Sequence, residues 1–109
     1  MNNKNKISIV TSLYKSSEFI LEFYKRHLVC IKELQVDYEF VFVDDGSPDD
    51  SCNKVKQLIE QDNKVKLIIL SRNFGQYPAM FAGMNYATGD LIYTSDSDLE
   101  EPPENILLL

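Results

Sequence analysis

Two aspartates one residue apart, Asp96 and Asp98, close an apolar run, and Glu100, Glu101 and Glu104 come at once among two prolines (DSDLEEPPE). Carboxylates at i and i+2 beyond a strand can converge on one hard divalent cation. Mg2+ or Mn2+ takes such oxygen donors and keeps positions open for water and phosphate oxygens. An ion held this way neutralises charge on a diphosphate leaving group. The competing reading is a solvated turn in which Asp96 caps the next element. A second acidic cluster is VDDGSPDD at 43–50. Its Asp44 and Asp45 suit acceptance of hydrogen bonds from a base N–H or from ribose hydroxyls, with Gly46 allowing a tight turn. Its alternative is a plain strand-to-helix turn, with Asp49, Asp50 or Ser51 capping the next helix. Arg72, in SRNFGQ, offers a planar fork to a base carbonyl or a phosphate, or pairs structurally with the surrounding acid. Gly75 precedes a helix start and leaves amides free, but no G-x-G-x-x-G is present.

The elements that must position these groups are written in the hydrophobic pattern. Four apolar runs rich in Ile, Val, Phe and Tyr read as strands: KISIVTSL (6–13), YEFVFV (38–43), VKLIIL (65–70) and LIYTS (91–95). Between them, 17–34 places Phe19, Ile20, Phe23, Tyr24, His27, Leu28 and Ile31 on one helical stripe, and 51–62 repeats this with Val55, Leu58 and Ile59. A third helix opens at Pro78 and stops before Gly89, and PPENILLL reads as the start of another. Strand and helix alternate with crossovers long enough to return the chain in parallel. This predicts a single α/β domain over 1–109, a Rossmann-like open parallel sheet with helices on both faces. Ligands bind such sheets at the carboxyl ends of the strands. Ser12, Tyr14 and Lys15, then DDGSPDD, SRNFGQ and DSDLEEPPE, all fall at that edge. Phe74, Tyr77, Phe81 and Met84 are assigned to the core, and His27 is read as a packed histidine.

Composition narrows the classes. The net charge is −6, yet nine of seventeen acids lie in the two clusters; without them eight acids face eleven bases. The negative charge is local, and a nucleic-acid partner is excluded for want of clustered Lys and Arg. Cys30 and Cys52 are isolated, with no C-x-x-C and one histidine in the chain, so no zinc site is expected. Two stray thiols suit a reducing cytoplasm, and no run is long enough for a signal peptide or a membrane span. A phosphotransfer receiver is disfavoured, because Ser71-Arg72 comes after the third strand where a phosphoacceptor Asp is needed.

The segments SIVTSLYKSSEFI, YEFVFVDDGSPDDS, LIILSRNFGQYPAMFAGMNYATGD and SDSDLEEPPE, in this order, resemble the amino-terminal half of glycosyltransferase family 2, in particular polyprenyl-phosphate and dolichol-phosphate sugar transferases. The likeness runs from about Ile7 to Glu104. It implies the nucleotide-binding half of a GT-A fold and metal-dependent, inverting transfer of a sugar from a nucleotide diphosphate donor, with Mg2+ or Mn2+ as cofactor. By position, Asp45 matches the acid that contacts the nucleoside, with Asp44 beside it. Arg72 matches a basic residue near base or diphosphate. Asp96 matches the acid near ribose and metal, and Asp98 the direct metal ligand. Ser12 and Tyr14 fall in a loop lining the nucleoside pocket, Ser12 where proline is frequent. Lys15 replaces a small polar residue, and Glu100 stands where glutamine is frequent. The resemblance further implies a catalytic base beyond residue 109, a longer parent protein associated with the cytoplasmic face of a membrane, and a polyprenyl phosphate acceptor. An incomplete domain would expose a sheet edge, which invites self-association. A non-catalytic module holding a nucleotide or a divalent ion is the alternative function.

Overall fold

A computed structural model describes residues 5–108. Strands β1 (Lys6–Leu13), β2 (Asp37–Asp44), β3 (Val65–Ile69) and β4 (Leu91–Thr94) form one parallel sheet in the order β3-β2-β1-β4. Helices α1 (Ile20–Leu34), α2 (Ser51–Gln61) and α3 (Gln76–Tyr86) connect them.

Side chains alternate across the central strands and give two apolar layers. Ile7, Ile9 and Leu13 of β1 with Phe40 and Phe42 of β2 face α1 and α2, where Phe23, Ile31, Val55 and Leu58 complete the larger core. Val10, Val41 and Val43 face the opposite way, toward α3. Helices therefore cover both faces, as the alternation predicts. Helix α1 stops at Gln35, whose left-handed backbone (φ 59°) turns its N–H back onto the carbonyls of Ile31 and Lys32.

Two local expectations change. The stripe at 17–34 opens with a 3-10 turn, Ser17–Phe19, before α1 begins. The PPENILLL segment is a 3-10 helix, Pro103–Leu108, with its last leucine outside the described residues. Its Ile106 is fully buried in the α1-side core.

The assignment of Phe74, Tyr77, Phe81 and Met84 to the core is overturned. All four are exposed, Tyr77 at 83% and Phe81 at 63%. Apolar residues surround α3 on every side, so the sequence does not mark which face packs. Close approach decides it: α3 lies on the sheet through Ala79 and Gly83, and a Cβ at Gly83 would sit 2.5 Å from Val10 Cγ1. Only a small-residue face fits there, and the aromatics turn outward.

His27 is fully buried, packed against Phe23 with ring centroids 4.1 Å apart. Its Nδ1–H donates to the Phe23 carbonyl at 2.8 Å, and among the described residues Nε2 has no partner. Burial lowers its pKa from the ordinary 6.5, ahead of the smaller opposing pull of the Phe23 carbonyl. The unfolded chain therefore binds a proton in a range where the folded chain does not, and stability falls as pH drops below about 6.5. As His27 is the single histidine, a thermal melt series from pH about 7.5 to about 5 should show Tm declining, and His27→Leu should flatten that slope. An unchanged slope in the variant would remove His27 as its cause.

Candidate functional site

The strand order reverses at β1: β2 lies on one side of it and β4 on the other. The loops leaving β1 and β3 lead to opposite faces of the sheet, to α1 and to α3, which opens a crevice at the carboxyl edge. A cavity of about 710 Å3 occupies that crevice. Ser12, Tyr14, Lys15 and Ser16 line it from the loop after β1, with Phe19 just beyond. Asp45 reaches it from β2, Asn73, Gly75 and Gln76 from the β3–α3 loop, and Asp96, Ser97, Asp98 and Glu100 from β4. All four strand ends meet at one place.

Asp45 organises the floor. It is 2% exposed, its N–H donates to the Leu13 carbonyl at 2.9 Å, and its carboxylate takes the N–H groups of Phe74 (2.8 Å) and Gly75 (3.1 Å) and the Asn73 amide (3.2 Å). One charge thus fixes the loop after β3 against the ends of β1 and β2. Gly46 makes the approach possible. Its φ is 67°, and a Cβ there would lie 2.5 Å from the Asn73 nitrogen. Asp49 shapes the rest of this loop by accepting from the Ser51 N–H (3.1 Å) and hydroxyl (2.7 Å), and Ser17 donates to Asp50. Burial works against the Asp49 charge, but the hydrogen bonds it accepts, first from the Ser47 hydroxyl at 2.5 Å and then from Ser51, hold its pKa down to about 2.

The Asp-Ser-Asp segment continues the alternation of β4 beyond its end. Ser95 and Ser97 point inward and are buried, whereas Asp96 and Asp98 point out. The Ser97 hydroxyl donates to Ser16 Oγ at 2.9 Å, tying this loop to the one after β1. Gln76 Nε2 donates to Asp96 Oδ1 at 2.5 Å. Leu99 turns left-handed (φ 64°), which brings Glu100 back with its N–H on Asp98 Oδ1 at 3.1 Å. Carboxylate oxygens of Asp96, Asp98 and Glu100 lie within 4.8 Å of one another. A donor set of carboxylate oxygens alone suits a hard divalent cation such as Mg2+ or Mn2+.

Lys15 is the one cation lining the cavity among the described residues. Its backbone is left-handed (φ 57°), held by an N–H donated to Ser47 Oγ at 2.8 Å. Ser12, Tyr14, Asp45, Asp96 and Asp98 thus come together as the sequence places them. Asp44 and Arg72 do not join them in the lining. Asp44 is buried and accepts the Ser47 N–H at 2.9 Å, shaping the turn. Arg72 is exposed, its guanidinium 4.3 Å from the Phe74 ring centroid. Asn73, Gln76, Ser16 and Ser97 were not singled out from sequence. They are neutral residues whose role arises from contacts made across the fold.

A parallel α/β sheet with an acidic cluster at its carboxyl edge defines the class of open α/β domains that take their ligands at that edge. Residues 8–109 match the glycosyl transferase family 2 pattern, and the chain belongs to that family. It is 43% identical over 103 residues to the undecaprenyl-phosphate 4-deoxy-4-formamido-L-arabinose transferase of Proteus mirabilis (strain HI4320), covering 94% of this chain and 32% of that protein. The enzyme of the same name from Photorhabdus laumondii subsp. laumondii is 43% identical over 102 residues, with 93% and 31% covered. The chain therefore spans about a third of the length of these curated relatives. Among solved structures, Staphylococcus aureus TarS 1-349 in complex with UDP-GlcNAc superposes with TM-score 0.71 at 26% identity, over 85% of this chain and 26% of that one. The mannosyltransferase PcManGT of Pyrobaculum calidifontis, in complex with GDP-Man and Mn2+, shares the fold with TM-score 0.76 at 20% identity, over 96% and 31%. The fold is that of the GT-A glycosyltransferases.

Asp45→Asn replaces one acceptor oxygen by an amide that faces N–H donors. The expected cost is about 2 kcal/mol, a fall in Tm of about 10 °C, read from paired chemical and thermal denaturation. A variant as stable as the parent would refute the organising role of Asp45.

Proposed function

We propose that this chain is the donor-binding part of an inverting glycosyltransferase that takes a nucleotide diphosphate sugar. The observation that carries the reading is the meeting of three carboxylates within 4.8 Å with Asp45 and the loop after β1 in one cavity. Asp96, Asp98 and Glu100 would hold Mg2+ or Mn2+. Bound there, the ion supplies charge neutralisation for the diphosphate leaving group. The remaining work belongs to the chain's own residues. Ser12, Tyr14 and Asp45 wall the nucleoside end of the cavity, with Tyr14 offering a ring face and a hydroxyl. Gln76 holds the Asp96 carboxylate in one orientation through its 2.5 Å hydrogen bond. Lys15 adds a positive charge at the mouth. Asp44 and Arg72 serve the shape of the β2–α2 turn and the stacking on Phe74 in place of ligand contact.

The names of the relatives support a polyprenyl phosphate as acceptor. The catalytic base and acceptor contacts fall, on this reading, in the portion of the relatives' length that the chain does not match. Among the described residues no helix is long and apolar enough to cross a membrane.

Calorimetric titration with UDP, GDP, CDP and dTDP, each with and without Mn2+, tests the reading. One nucleotide should bind in a Mn2+-dependent manner, and Asp98→Asn should weaken it by at least about tenfold. Binding of no nucleotide, or binding indifferent to both Mn2+ and the substitution, would overturn it.

A further inference from the structure

Three acidic residues are buried among those described: Asp44, Asp45 and Glu39. The first two shape the loop after β2. Glu39 sits at the opposite end of the sheet, 1% exposed, on the face toward α3. Its Oε2 accepts from the Ser8 hydroxyl (2.6 Å), the Thr88 N–H (2.7 Å) and the Thr88 hydroxyl (3.2 Å). Its Oε1 accepts from Lys66 Nζ at 2.6 Å, with Lys6 Nζ 3.7 Å away. Ser8 Oγ in turn accepts the Gly89 N–H at 2.8 Å. One carboxylate therefore gathers the turn between α3 and β4 onto β1, β2 and β3. Burial alone would push this carboxyl up, but the Lys66, Ser8 and Thr88 donors pull it down to about 2, so it is ionised at ordinary pH.

This turn leads into β4, a strand of four residues that pairs with β1 alone among the described strands. A strand so short is weakly pinned by its own ladder. Its register is also critical. Side chains alternate with a period of two, so a slip of one residue would bury Asp96 and Asp98 and expose Ser95 and Ser97. The Ser97–Ser16 hydrogen bond holds the far end; at the near end Asp90 exchanges hydrogen bonds with the Lys6 backbone (2.8 and 2.9 Å), and Glu39 fastens the turn that precedes it.

We infer that Glu39 is a positioning residue for the divalent-cation site, acting through β4 to keep Asp96 and Asp98 on the cavity side. The inference rests on the donor-site reading above. A purely structural Glu39 would support the whole sheet equally; a positioning Glu39 acts on β4 selectively. Glu39→Gln keeps the volume and loses the charge, placing an N–H2 among donors.

The test combines amide hydrogen exchange with Mn2+ affinity, measured by the EPR signal of the free ion, on the chain, on Glu39→Gln, and on Ile31→Val as a core control compared at equal fractional distance from Tm. Glu39→Gln should raise exchange at 91–98 by roughly tenfold relative to β2 and β3, and weaken Mn2+ binding by roughly tenfold. Ile31→Val should do neither. If Glu39→Gln does not fold, Ser8→Ala, which removes one donor to Glu39 and the acceptor of Gly89, is read in the same way with an effect of about threefold. Exchange that rises uniformly over the sheet, or unaltered Mn2+ affinity, would overturn the inference. Failure of the parent chain to bind Mn2+ would instead overturn the donor-site reading, and the exchange pattern would still decide whether Glu39 governs β4.

Discussion

With α1 on one face of the parallel sheet and α3 on the other, the loops that leave β1 and β3 have to part. That single constraint opens the cavity and decides what lines it. The loop after β1 brings Tyr14 and Lys15, the loop after β4 brings three carboxylates, and the ends of β2 and β3 close the floor through Asp45. Both ends of the shortest strand are held by side chains in place of a long ladder. Ser97 bonds Ser16 at the cavity, and Thr88 with Gly89 is fastened to Glu39 and Ser8 at the other end.

The acids of the cavity divide by how their charge is met. Asp45 is buried and satisfied by backbone and side-chain N–H groups, so its charge is committed to structure along the wall. Asp96, Asp98 and Glu100 are partly or fully exposed and receive few donors. Like charges this close repel by about 1 kcal/mol per pair in water and more where solvent is displaced. Solvent tolerates that repulsion in the free chain, and a divalent cation relieves it. Three closely spaced carboxylates with so few internal donors therefore have charge left to offer an ion, and Asp45 does not.

Much of the fold was legible because burial writes periods into sequence. YEFVFV and KISIVTSL show the strands, and the stripe from Phe23 to Ile31 shows α1. The strand ends then place Ser12, Tyr14, Asp45, Asp96 and Asp98 at one edge by topology. Helix α3 was legible as a helix but not in its orientation, because Ala79 and Gly83 pack through being small, which no hydrophobic pattern records. Asp44 looked equivalent to Asp45; one residue's difference in direction turns it into the loop. Glu39 is the one charged residue in YEFVFV and was not singled out from sequence. Its partners Ser8 and Thr88 lie 31 and 49 residues away in sequence, so nothing local marks it as buried.

If four strand ends make one cation site, amide NMR spectra of the chain recorded as Mn2+ is added in small amounts, with Mg2+ as the diamagnetic reference, will show it. Paramagnetic broadening should centre on 96–100 and reach Tyr14 to Ser16, Asp45 and Gln76, which are far apart in sequence. Broadening centred on another acidic stretch such as 49–50, or spread evenly over the surface, would contradict it.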